Sequence, residues 1–209
     1  MSRVREDDDM KRLYVVPTLV FALATCGGEE APSPDAGGAA DTAPAASTPS
    51  ASAPAPPTGP MTTPDWFQID NDARTVHMTV TAGSTSVNNY WNFNGGINGQ
   101  MAINVPQGYT VTIDFINDDP NMAHSLGISE ETSSFAMPPD TTPVFPGAIT
   151  ENPGSMIEGT MPGESETIEF VAETVGNYSM VCYVPGHSAV GMWLYFNVTD
   201  GEAGVQGSV

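Results

Sequence analysis

Residues 182–192 read CYVPGHSAVGM: a cysteine, a histidine five positions on and a methionine five beyond that, wrapped around a Pro-Gly turn. The whole chain holds 2 cysteines and 3 histidines, so one loop concentrates its scarcest donors. A thiolate, an imidazole and a thioether together favour copper over zinc, because methionine is a poor zinc ligand while sulfur donors suit the softer metal. A trigonal copper site with a weak axial methionine needs a second histidine. Outside the loop there are His77 and His124. His77 lies in RTVHMTVTA among threonines and reads as an exposed strand residue. His124 follows a strand end in INDDPNMAHSLGI, where the chain turns through Asp118, Asp119, Pro120 and Asn121 before re-entering an apolar segment. The expected donor set is therefore His124, Cys182, His187 and Met192.

The flanking sequence supports this through its period of two, which places alternate side chains on opposite faces of a strand. In Gly176–Val184, Tyr178, Met180 and Cys182 share a face. In Met192–Val198, Met192, Leu194, Phe196 and Val198 share one, so both sulfurs belong to the pole of a common core. Val76, Met78 and Val80 alternate with His77, Thr79 and Thr81, and Val111, Ile113 and Phe115 with Thr110, Thr112 and Asp114. Glu166–Ala172 continues the pattern, and Gly, Pro, Asn and Asp mark the turns. Strands at this density predict an all-β protein, an antiparallel sandwich or barrel over residues 64–200. The stretch 129–165, rich in Pro, Gly and Met, reads as a long loop insertion. Residues 201–209 read as a flexible tail.

Composition limits the functions available. Of 209 residues 25 are acidic and 5 basic, a formal charge of -20, which excludes attraction to nucleic-acid phosphates. The acidity serves solubility or steers a basic partner. Four of the basic residues (Arg3, Arg5, Lys11, Arg12) precede position 13 and the fifth is Arg74. From Met10, an alternative start, MKRLYVVPTLVFALATC has the charged head and apolar run of a secretory signal, too short for a membrane span. Residues 1–26 are thus expected to be a signal peptide. Its end, Leu23-Ala24-Thr25-Cys26, resembles a bacterial lipoprotein cleavage box with Cys26 as the lipidated residue, although Thr25 departs from the usual small residue. Residues 27–63, dominated by Pro, Ala, Ser and Thr, read as a disordered linker. About 35 such residues hold a domain roughly 30 Å from its anchor.

The segments NFNGGINGQMAINVPQGYTVTIDFIN (Asn92–Asn117) and VCYVPGHSAVGMW (Val181–Trp193) resemble sulfocyanins, blue copper proteins of the cupredoxin superfamily. The resemblance implies a Greek-key β-sandwich that binds one type 1 copper ion through His124, Cys182, His187 and Met192. It also implies a role for Ser125 beside the ligands, where many cupredoxins have an asparagine tethering the two ligand loops and rusticyanin-like proteins have serine. A copper with every position taken by protein has no room for substrate, so the expectation is an electron carrier and not an enzyme. It would be extracytoplasmic, monomeric and lipid-anchored to the membrane, docking transiently with a c-type cytochrome, a terminal oxidase or a copper or haem reductase. His187, among Pro185, Ala189 and Val190, is the expected exposed edge for electron entry and exit. Phe135, Met137, Pro138, Met156 and Met161 are candidates to widen that patch. The alternative is a copper chaperone or storage protein, which clusters Met or His in solvent-open sites. No Met-x-x-Met cluster occurs here.

Overall fold

The computed structural model describes residues 54–137 and 139–207. The expected signal, Cys26, most of the linker and Pro138 lie outside them. Among the described residues, nine strands form two sheets: β1 (Phe67–Asp70), β2 (Thr75–Ala82), β3 (Met101–Pro106), β4 (Thr110–Asn117), β5 (Gly127–Glu130), β6 (Ser165–Val171), β7 (Gly176–Val181), β8 (Trp193–Thr199) and β9 (Gly204–Gly207). One sheet runs β1-β2-β4-β6 and the other β5-β7-β8-β3-β9. The chain crosses repeatedly from one sheet to the other, as in a Greek-key sandwich. No α-helix occurs among the described residues.

The alternation read from sequence is the alternation of burial. In β4, Val111, Ile113 and Phe115 are buried while Thr110, Thr112 and Asp114 are half-buried. Facing them across the sandwich are Tyr178, Met180, Cys182, Met192, Leu194, Phe196 and Val198, all in one core with Val76, Met78 and Val80. Each fully buried aliphatic or aromatic side chain of this core contributes roughly 1.5–3 kcal/mol by leaving water.

Four features differ from expectation. First, the sheets are mixed: β2 pairs with β4 and β3 with β8 in parallel. Second, residues 201–209 are not simply a tail, since β9 pairs antiparallel with β3 from Met101↔Gly207 to Asn104↔Gly204. Third, the end of the expected linker is a strap on that edge. Thr62 and Val205 exchange backbone hydrogen bonds of 2.9 and 2.8 Å, Gln206 Nε2 donates to Gly59 O at 2.9 Å, and Tyr195 Oη donates to Pro54 O. Backbone pairing needs no apolar side chains, so a Pro-rich segment can cover an otherwise open strand edge.

Fourth, the insertion returns to the sandwich instead of leaving it. Val144 and Ala148 hydrogen-bond with Ile128, and Thr150 N donates to Leu126 O at 2.9 Å. Phe145 and Ala148 enter the core, and Ile149 with Phe135 covers a second cluster of Ala102, Val181, Tyr183, Trp193 and Tyr195 on the outer face of the larger sheet. β3, held between β8 and β9, is buried along its whole length.

Candidate metal centre

The β7–β8 connection carries three of the four predicted residues and is shaped by its own backbone. Cys182 N donates to Met192 O (3.2 Å) and Met192 N to His187 O (3.0 Å), so the loop closes on itself at the pole of the sandwich. A short 3-10 turn, Ser188–Val190, follows His187, and Gly191 ends it with φ 113, a left-handed angle that favours glycine. A Cβ there would sit 2.7 Å from Asn98 Oδ1.

His124 comes from the β4–β5 connection. It is pinned by the returning insertion, whose Thr160 exchanges backbone hydrogen bonds of 3.0 and 3.1 Å with it. Asn117, the last residue of β4, donates through Nδ2 to both Met122 O and Thr160 O at 2.8 Å. Gly159 permits the approach, since a Cβ there would lie 2.8 Å from Ser155 O and 3.2 Å from His124 O.

Three donor atoms converge. His187 Nδ1 lies 3.1 Å from His124 Nδ1, and Cys182 Sγ lies 3.6 Å from the former and 3.8 Å from the latter. The point equidistant from all three is about 2.0 Å from each, close to the ~2.0–2.3 Å that imidazole nitrogen and thiolate sulfur adopt on a divalent transition metal. All three are buried, as is Met192. Two rings and a thiol left to themselves gain nothing from crowding their polar atoms into one apolar pole; a metal ion is the group this arrangement fits.

The electrostatics agree. Burial pushes the Cys182 thiol up to about 11, partly opposed by hydrogen bonds to Ser125 and Val184. Burial and the neighbouring His124 push His187 down to about 4, and burial lowers His124 against the opposing pull of Asp119. Near neutrality both rings are therefore uncharged, with lone pairs for a cation, and the thiol surrenders a proton when metal binds.

Asp119 fixes which nitrogen is free. Its Oδ2 lies 2.9 Å from His124 Nε2, both side chains being buried, and its Oδ1 accepts from Asn121 N at 2.8 Å and Met122 N at 3.2 Å. With Nε2–H donating to this carboxylate, the lone pair sits on Nδ1 and faces the other donors. In the sequence Asp119 reads only as part of a turn; the available signal is an acid five residues before a candidate ligand. Ser125 stands where expected. Its Oγ accepts from Tyr183 N at 2.8 Å and lies 3.8 Å from Cys182 Sγ, so it ties the two ligand loops together beside the sulfur.

His77 is apart from the centre, half-exposed on β2 and paired with Asp114 at 2.8 Å. Of the insertion residues, Phe135 packs on Trp193, while Met137 and Met156 are exposed. One expectation is corrected: His187 is not an exposed edge. Its ring is 1% exposed. The Trp91 indole covers it, with ring centroids 3.9 Å apart and planes within 19°. Pro185, Ala189 and Val190 are exposed as expected.

The chain is similar to known proteins. Residues 64–203 match the family model of the Sulfocyanin (SoxE) domain. The chain is 32% identical to sulfocyanin of Sulfolobus acidocaldarius over 125 residues, 57% of this chain and 61% of that protein. It is 32% identical to rusticyanin of Acidithiobacillus ferrooxidans over 96 residues, 44% of this chain and 56% of that one. It thus spans less than two thirds of the length of these relatives. The 1.27 Å structure of rusticyanin from Thiobacillus ferrooxidans aligns with a TM-score of 0.42 at 23% identity, covering 65% of this chain and 87% of that one. The family match takes in β1 to β8 and all four predicted donors, and the chain belongs to the sulfocyanin family.

Proposed function

We propose that this protein is a mononuclear type 1 copper electron carrier in which His124, Cys182, His187 and Met192 hold the ion. The observation that carries the reading is the buried convergence of two imidazole Nδ1 atoms and one cysteine sulfur within 3.1–3.8 Å of one another. When bound, the copper cycles between Cu(II) and Cu(I) and so stores one electron. Cys182 supplies an anionic sulfur once its proton has left. His124 and His187 supply neutral nitrogens, one oriented by Asp119 and the other held beneath Trp91. Met192, buried immediately before β8, would supply the thioether. The donors sit at strand ends and on a loop closed by its own hydrogen bonds, which would hold them in place as the ion changed oxidation state.

A buried donor set leaves no position for substrate, which favours carriage over catalysis. The expectations of an extracytoplasmic, membrane-tethered monomer shuttling electrons between respiratory components rest on the sequence before residue 54 and on the resemblance to sulfocyanins. The test that separates carrier from copper chaperone is exchange. The copper-loaded full chain is mixed with a Cu(I) acceptor chelator and, separately, cycled at an electrode. The carrier reading expects reversible one-electron cycling with copper retained over hours. Rapid handover of Cu(I) without a stable couple would support the chaperone instead.

A further inference from the structure

The NFNGG segment and the residues before it take no part in ligation, yet they carry an unusual run of left-handed backbone. Asn88, Asn89 and Tyr90 are three consecutive non-glycine residues in the left-handed region, with φ of 52, 56 and 67. Each such residue is disfavoured and persists only where surrounding bonds over-determine it. Here they do. Asn88 Nδ2 donates to Trp91 O at 2.9 Å and to Val190 O at 3.2 Å, stapling the turn to the ligand loop. Asn92 Nδ2 donates to Thr85 O and Val87 O at 2.8 and 2.9 Å, and Gly95 N donates to Asn92 Oδ1 at 3.0 Å. The product of this scaffolding is the position of one side chain, the Trp91 indole flat on the His187 imidazole.

Building on the copper reading above, we infer that Trp91 is the electron port of the protein: electrons enter and leave across the stacked indole, not at a histidine edge. None of the four donors is more than 1% exposed, so no redox partner can touch one directly. Trp91 is half-buried, reaching the surface while remaining in van der Waals contact with a donor ring. Val87 and Val190, exposed at 47% and 52%, belong to the two segments that Asn88 staples and form an apolar collar for a docking protein. A large, polarisable ring at 3.9 Å in near-parallel contact extends the donor orbital system toward solvent without exposing the site to water.

The test needs no identified partner. In electron self-exchange between reduced and oxidised copies of the full chain, one copper loses an electron as the other gains it, with no proton moved. The rate is read from NMR line broadening in mixed samples. Trp91→Leu keeps an apolar cover and removes the ring; Trp91→Phe keeps a stack. The expected result is about tenfold slower exchange for Trp91→Leu, ~1.4 kcal/mol of added barrier, with Trp91→Phe nearer the wild type and both retaining the visible band. A second readout uses metal-free protein. The His187 ring protons, lying under the indole, resonate upfield, and Trp91→Leu returns them to ordinary positions. Unchanged or faster exchange in Trp91→Leu would make the indole an insulating lid and overturn the port, as would equal rates in the two variants, loss of the band in both, or an unshifted His187 resonance in the wild type. A wild type without the band would instead remove the copper reading itself.

Discussion

Asp119 offers the sharpest check on how the centre is oriented. Its carboxylate accepts three hydrogen bonds, from His124 Nε2, Asn121 N and Met122 N, and it shares a buried pocket with the His124 ring. Asp119→Ala leaves the ring N–H without an acceptor and frees Met122 N in a half-buried turn. At about 1–3 kcal/mol for each buried group left unpaired, the metal-free domain loses on the order of 2–4 kcal/mol. Asp119→Asn is the more informative change. If its oxygen faces the ring, its amide nitrogen confronts two backbone donors. If it turns the other way, its amide pushes the proton of His124 to Nδ1, the atom that must stay free. Either arrangement weakens the centre, and disturbing a carboxylate that orients a metal-bound histidine typically costs about 10–100-fold in metal affinity. Removing the carboxylate's charge also disfavours Cu(II) relative to Cu(I), so the reduction potential rises. Competition against a chelator of known strength reads the affinity, and voltammetry the potential. Wild-type affinity and potential in both variants would refute the claim that Asp119 sets the ring.

Three further outcomes are expected. Ser125→Ala strands the buried Tyr183 N–H, costing about 2 kcal/mol, or about 4–8 °C in Tm for a domain of this size, and it lowers the potential by withdrawing a hydroxyl from the sulfur; calorimetry and voltammetry on one variant check both. Met192→Leu leaves copper bound but raises the potential by removing a donor to Cu(II), and an unchanged potential would mean that Met192 is not axial. Because Cys182 lies at about 11 and His187 at about 4, loading metal-free protein with Cu(II) at pH 7 displaces a single proton, from the thiol. As pH falls through about 4, His187 holds a proton too, so more than one is released and affinity falls more steeply; calorimetry in buffers of different ionisation enthalpy counts them.

What could be read from the chain alone was whatever follows a strict spatial period. The phase of Tyr178, Met180 and Cys182 and that of Met192, Leu194, Phe196 and Val198 put both sulfurs at one pole, and the structure assembles them in one core. His124 was recognisable because a histidine at a strand end before an apolar run has few other uses, and His77 because its neighbours are threonines on an open face. Non-periodic interactions were hidden. Gly204-Val205-Gln206-Gly207 is too short and too rich in glycine to show an alternation, yet its backbone pairs with β3 while Val205 enters the core, and the strap near Thr62 hydrogen-bonds to its far edge. Parallel pairing of β3 with β8 depends on how the chain crosses between sheets, which no local pattern records. An acid shortly before His124 is a signal that Asp118 and Asp119 share, and only the folded turn shows which of them points inward. Trp91 was invisible for a similar reason: three left-handed residues reverse the chain over the ligand loop and bury the histidine edge that the sequence left open.

If Cys182 is the thiolate of a blue copper centre, optical spectroscopy shows it most directly. Full chain reconstituted with one equivalent of Cu(II) is compared with Cys182→Ser treated identically, both shown to be folded by circular dichroism. The expected result is an intense blue charge-transfer band in the former, bleached reversibly by a one-electron reductant, and no such band in the latter. A colourless wild type, or a variant as blue as the wild type, would contradict it.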